Sequence, residues 1–313
     1  MLGKTAGGLF WMFRYIERTE NTARLLDAGF RIALTDPSHN DEEWSSVIAT
    51  AGVLDQFNAT HETCNAAHAI DFLLRDLSNP SSVMSNVEAA RNNAKTVRTA
   101  LTRETWEATN ECWMTVCEIL KDPVRQRDLP EVLRGIRQQA ALVRAALHGT
   151  MLRNDIFDFC RIGTFLERAD NTARILDVKY YVLLPSVSLV GSTLDNVQWD
   201  MILRSVSAQR SYRWLNNGEI TPKGIADFLI LDRRMPRSLA FCFAKIVDNL
   251  GYLEHDYGQR HSCHEQASHL YEQLKAQNVD QIFDMGLHEF LEDFIANNNQ
   301  LARQIETDYR FIE

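Results

Sequence analysis

Residues 15–27 read YIERTENTARLLD, and residues 165–177 read FLERADNTARILD. Eight of the thirteen positions are identical: Glu17/Glu167, Arg18/Arg168, Asn21/Asn171, Thr22/Thr172, Ala23/Ala173, Arg24/Arg174, Leu26/Leu176 and Asp27/Asp177. A helix that only packs needs to keep its apolar face. Here the polar residues keep their identities too, which packing alone does not require.

The likeness extends outward from this stretch. Trp44 returns as Trp199, Phe72–Asp76 as Phe228–Asp232, and Pro80 with Ser82 as Pro236 with Ser238. Towards the ends only apolar spacing is shared: Leu129, Val132, Leu133, Ile136, Val143 and Leu147 match Leu287, Phe290, Leu291, Phe294, Leu301 and Ile305. The offset drifts from 150 at Glu17/Glu167 to 158 at Leu129/Leu287, as small loop insertions would produce. Solenoid repeats run to roughly 20–50 residues, so so long a period reads as a domain duplication. With no Pro/Gly/Ser-rich linker between the halves, residues 1–313 read as one pseudo-symmetric domain with internal repeats of about 1–150 and 151–313.

Helical periodicity runs through the chain. In the first helix, residues 8–33, Trp11, Met12, Tyr15, Ile16, Ala23, Leu26 and Phe30 share one arc, and Arg14, Glu17, Asn21 and Arg24 the other, with Arg18 at the edge. The break at Thr35–Ser38 follows from Pro37. Further helices are expected from about 42 and over 60–77, 80–101, 104–121, 129–147, 155–184, 195–215, 222–232, 236–256, 260–276 and 286–309. Pro80 and Pro130 fit first helical turns, where a missing N–H costs nothing. Residues 182–190, β-branched but interrupted by Pro185 and serines, read as a connector. No segment alternates with a strand period. The fold class is all-α, a bundle of about 10–12 helices built from two tandem repeats.

Composition narrows the function. The net charge of −9 and pI near 5.5 argue against nonspecific nucleic-acid binding, which needs a basic footprint. No apolar run reaches the ~18 residues of a membrane span, and the charged residues after Phe13 argue against a signal peptide. Six scattered cysteines without a Cys-x-x-Cys read as reduced thiols, so a cytoplasmic location is expected. There is no nucleophile elbow, phosphate loop or dinucleotide fingerprint. His61, Cys64 and His68 fall on an i, i+3, i+7 stripe, and His255, His261, Cys263, His264 and His269 cluster later. Neither group has compact ligand spacing or a counterpart in the other half, so no metal and no cofactor are expected.

That leaves the polar stripes. Glu17, Asn21 and Arg24 stand at i, i+4 and i+7, as do Glu167, Asn171 and Arg174. Arg14 extends the first stripe, with Thr164 at the matching place in the second. Three readings are open. The stripes are a solvated face. Or the helices face each other, Glu17 pairing with Arg174 and Glu167 with Arg24 in a buried network. Or Arg14, Arg18, Arg24, Arg168 and Arg174 receive a carboxylate or phosphate, oriented by the glutamates and helped by Asn21 and Asn171.

Met1-Leu2, Trp11, Arg14–Arg18 and Glu20–Leu26, followed by Asn79–Val83, Ala90–Ala94, Arg98, Glu104–Glu107 with Asn110, and Phe165–Asp170, resemble the bacterial alpha-E domain family along essentially the whole chain. Lys95, where the family often has arginine, and Gly7-Gly8 depart from its pattern. Arg91 and Arg98 lie in matching segments and join the anion-binding candidates. The resemblance implies a genomic context: a circularly permuted ATP-grasp protein, with a transglutaminase-like peptidase and sometimes a proteasome-like peptidase. ATP-grasp enzymes make amide bonds through acyl phosphates. The expectation is therefore a helical partner of such a peptide-ligating or peptide-modifying enzyme, binding the ligase or its anionic peptide or acyl substrate. The alternatives are an enzyme using Glu17 or Glu167 as acid/base, and a structural bundle that forms a homodimer.

Overall fold

A computed structural model describes residues 1–34, 40–182, 193–216 and 220–312, and every described element is helical. Two long helices form the centre: α1 (Gly3–Ala33) and α8 (Asp155–Val182). Neither contains a proline, and at 1.5 Å per residue they are about 45 Å and 40 Å long. They pack directly on one another. Gly163 permits the closest approach, since a Cβ there would run into the backbone of Phe10.

Around α1 lie α5 (Val83–Thr96) and α7 (Leu129–Thr150), with α6 (Arg103–Ile119) against both. Around α8 lie α12 (Leu239–Tyr257) and α15 (Leu287–Asp308), with α13 (Ser262–Ala276) against both. Two shorter helices cross over: α2 (Asn40–Thr50) packs on α8, and α9 (Thr193–Ser205) on α1. Beside them sit α3 (Leu54–Asn58) with α4 (Ala66–Leu74), and α10 (Gln209–Leu215) with α11 (Pro222–Ile230). One apolar core runs through the molecule, from Phe10, Phe13 and Trp44 to Phe243 and Leu301.

Local chemistry sets the boundaries. Ser82 Oγ accepts from the Ser85 amide at 3.1 Å and opens α5; Ser238 Oγ accepts from the Phe241 amide at 3.0 Å and opens α12. Each side-chain cap is worth about 1 kcal/mol. Pro80 therefore lies in the turn before the helix rather than in its first turn. Pro130 does occupy the first turn of α7.

The stretches read from periodicity become fifteen α-helices among the described residues rather than 10–12. Helix α3 and α14 (Val279–Met285) are too short to show a period, and 195–215 splits at Ser207, whose φ is +56°. Residues 60–65 form a loop ending at the cap Asn65, so His61, Cys64 and His68 do not share one helix. His61 instead stacks on Phe57, ring centroids 4.4 Å apart. Most of the expected connector, residues 183–190, lies outside the described residues. No helix among the described residues is long and apolar enough to cross a membrane.

Candidate functional site

The polar arc of α1 is not a solvated face. Glu17 is 0 % exposed, and Arg14, Glu20 and Asn21 are buried as well. At the crossing of α1 and α8 the two Glu-Arg dipeptides interlock. Glu17 accepts from Arg168 Nε and Nη2 at 2.8 and 3.0 Å, and Glu167 accepts from Arg18 Nε and Nη2 at 2.6 and 2.9 Å. Both are bidentate pairs, the strongest form of carboxylate–guanidinium contact.

This corrects the partners expected from spacing. Glu17 does not pair with Arg174, nor Glu167 with Arg24. Arg24 and Arg174 stand seven residues on, about 10 Å further along each helix and beyond the crossing. There each pairs with a carboxylate of its own helix, Arg24 with Glu20 at 2.6 Å and Arg174 with Asp170 at 2.7 Å, and Arg24 also donates to the Ser205 carbonyl of α9 at 3.0 Å.

Three more arginines complete the network. Arg14 Nε reaches Glu167 at 3.0 Å. Arg144, from α7, reaches Glu17 at 3.3 Å and also bonds Glu20. Arg237, just before α12, donates to Glu20 at 2.7 Å and Asn21 Oδ1 at 3.2 Å, and lies 3.3 Å from Glu17. Burial pushes the Glu17 and Glu167 carboxyls up, but the surrounding guanidiniums outweigh it. Arg168, Arg144 and Arg237 hold Glu17 far below the usual carboxylate range, and Arg18 with Arg14 hold Glu167 down to about 2. Burial, with Arg24 nearby, lowers Arg237 to about 10, so it stays charged at neutral pH.

On one flank of the crossing lies a polar cavity of about 190 Å³. Arg14, Arg18, Asn21, Glu167, Asp170, Asn171 and Arg174 line it, and Ser81, Leu73 and the Thr50–Gly52 turn close it. Gly52, at φ +73°, fits here because a Cβ would meet Arg174 Nη1 at 2.8 Å. The Arg18 and Arg174 side chains keep 26 % and 29 % exposure, which places the mouth beside them. Asn171 is 8 % exposed, and its Oδ1 is buried with no hydrogen-bond partner. Asn86, Gln139, Asn154 and Asn298 also carry a buried side-chain oxygen without a partner, but of these five residues Asn171 is the one that lines the cavity.

Six of the sequence candidates thus meet at the cavity: Arg14, Arg18, Asn21, Glu167, Asn171 and Arg174. Glu17, Arg24 and Arg168 belong to the ion-pair network instead. Arg91 and Arg98 sit elsewhere, Arg91 bonded to Asn110 at 2.8 Å and stacked 3.9 Å over Trp113, Arg98 over Trp106. Sequence reasoning missed Arg144, Arg237, Ser81, Glu20 and Asp170. Only the last two left a signal, an acidic residue at matching places in both quoted stretches.

Among the described residues no group of His, Cys, Asp and Glu is placed to hold a metal ion. His264, from the later histidine cluster, is structural: Nδ1 accepts the His261 amide at 3.0 Å, and Nε2 donates to the Leu250 carbonyl at 3.1 Å.

The model of the Alpha-E family, described as a predicted alpha-helical domain with a conserved ER motif, matches residues 1–309. This chain belongs to the Alpha-E family. In this Alpha-E chain the Glu-Arg dipeptides are Glu17-Arg18 and Glu167-Arg168, the residues that interlock α1 and α8. No curated protein and no solved structure matches the chain.

Proposed function

We propose that this Alpha-E chain is a binding component of an ATP-grasp amide-bond-forming system, and that the cavity beside the α1–α8 crossing receives an anionic group of the peptide or acyl substrate. The association with an ATP-grasp ligase rests on the family resemblance. The cavity supports the binding role: three arginines, Arg14, Arg18 and Arg174, line it against two carboxylates, Glu167 and Asp170. Two of those guanidiniums stand at the mouth, where an entering carboxylate would meet them first.

Glu17 and Glu167 are poor candidates for acid/base chemistry. A proton-transfer group works best with a pKa near the operating pH, and both are held far below it. The Glu-Arg pairs join two helices of one chain, so a homodimer would have to use another face. We read those pairs as the clasp of the fold and the neighbouring cavity as the working part. We also read the two halves as products of an internal duplication, supported by the reciprocal pairing of Glu17 with Arg168 and Glu167 with Arg18.

The test is co-expression with an ATP-grasp protein of the kind the family resemblance implies, taken from the same genome, followed by purification through a tag on either one. A stable complex is expected, and Arg174→Gln should reduce product formation while leaving the complex intact. If no complex forms, or if Arg174→Gln supports full turnover, the assignment is wrong.

A further inference from the structure

The two flanks of the crossing present the same acceptors but are filled differently. Aligning the Pro-x-Ser turns places Ser81 opposite Arg237. On one flank, Arg237 donates to Asn21 Oδ1 and Glu20 and lies 3.3 Å from Glu17. On the other, the corresponding acceptors are Asn171, Asp170 and Glu167, and Ser81 brings no guanidinium to them. All four residues line the cavity.

The acceptors there are short of donors. Glu17 has four contacts with guanidinium nitrogens, one of them from Arg237, whereas Glu167 has three, from Arg14 and Arg18. Asn21 Oδ1 is satisfied by Arg237; Asn171 Oδ1 has no partner. Charge does not forbid a further cation. Glu17 and Glu20 already accommodate Arg168, Arg144, Arg24 and Arg237, four cations around two carboxylates. Glu167 and Asp170 hold three: Arg14, Arg18 and Arg174.

We propose that the cavity binds a guanidinium or primary ammonium group of a ligand, seated on Asn171 Oδ1 and Asp170 as Arg237 is seated on Asn21 and Glu20. This rests on the binding role given to the cavity and narrows its ligand. The volume far exceeds one water but is small for a whole drug-sized molecule, so it takes one end of a substrate. With Arg18 and Arg174 at the mouth to meet a carboxylate, the ligand class is a free amino acid or a peptide end that carries both charges.

Calorimetric titration of the full chain with arginine, agmatine and succinate tests this. Arginine and agmatine should bind, and arginine more tightly because its carboxylate adds the mouth contacts. Asn171→Ala should weaken both roughly tenfold, as loss of one hydrogen bond from a charged donor implies. Ser81→Arg supplies a tethered guanidinium from the position Arg237 uses; it should raise the melting temperature and abolish agmatine binding. If Ser81→Arg does not fold, the Asn171→Ala titration still decides. Succinate binding without agmatine binding would overturn the cation site while leaving the anion-binding role standing. Silence from all three ligands, or unchanged agmatine affinity in Asn171→Ala, would also overturn it. Complex formation with the ATP-grasp protein is a separate readout that none of these results alters.

Discussion

Replacing Glu17 with glutamine removes one charge from the centre of the molecule and almost no volume. Arg168, Arg144 and Arg237 would then face a neutral amide, and their side chains are only 13 %, 17 % and 8 % exposed. Breaking a buried ion pair from one side costs about 3–5 kcal/mol, because the remaining charge is left uncompensated. Glutamine keeps one acceptor oxygen, which favours the lower end. For a chain of this size each kcal/mol moves the melting temperature by about 2 °C, so a drop of about 6–10 °C is expected by calorimetry. Glu167→Gln should cost less, since Arg18 keeps access to water and can be rehydrated. A double-mutant cycle sharpens the test. Glu17→Gln with Arg168→Gln should show coupling of about 1–3 kcal/mol, and Glu17→Gln with Arg174→Gln less than about 0.5 kcal/mol. A melting temperature for Glu17→Gln within about 2 °C of the parent, or equal coupling in the two cycles, would refute the interlocked pairing.

Three further outcomes are expected. Glu167 is held at about 2 when folded, against an ordinary value of 4.5, so the unfolded chain takes up its proton first as pH falls. The stability it confers is complete above about pH 4.5 and is lost progressively towards pH 2; melts across that range should slope less in Glu167→Gln, and an unchanged slope would contradict the assignment. Burial pushes the Cys112 and Cys242 thiols up to about 12 and raises Cys160 and Cys263 well above the ordinary thiol range, so native protein at pH 8 should react with a thiol reagent at no more than Cys64 and Cys117. Rapid labelling of Cys160 on peptide mapping would show that the core opens. Gly163→Ala must part α1 from α8 near Phe10 and should cost at least about 1–3 kcal/mol in denaturant unfolding, more than Gly149→Ala, whose added Cβ meets nothing.

What the sequence revealed, and what it hid, follows from which residues carry a period. The long helices were legible because Trp11, Ile16, Ala23 and Leu26 recur at helical spacing over many turns. Leu54–Asn58 and Val279–Met285 make fewer than two turns, so no spacing could mark them. The polar residues of the crossing were legible because both stretches kept them. Their partners were not: spacing along a helix gives a side chain's direction but not the height at which two helices cross. That height decides whether Glu17 meets Arg168 or Arg174. Arg144 reaches the network from α7 and Arg237 from the turn before α12, and they have Ala302 and Ser81 in the matching places, so no repetition pointed to them. The cavity was hidden for the same reason, since it depends on a difference between the halves.

The contrast between Arg237 and Ser81 has a consequence for how such a molecule can change. In an assembly of two identical chains about a twofold axis, any substitution appears on both sides at once, and a new site arises twice or not at all. Here both flanks belong to one chain, so each can vary alone. One flank can keep a resident arginine as ballast for the fold while the other is free to trade that anchor for an exchangeable guest.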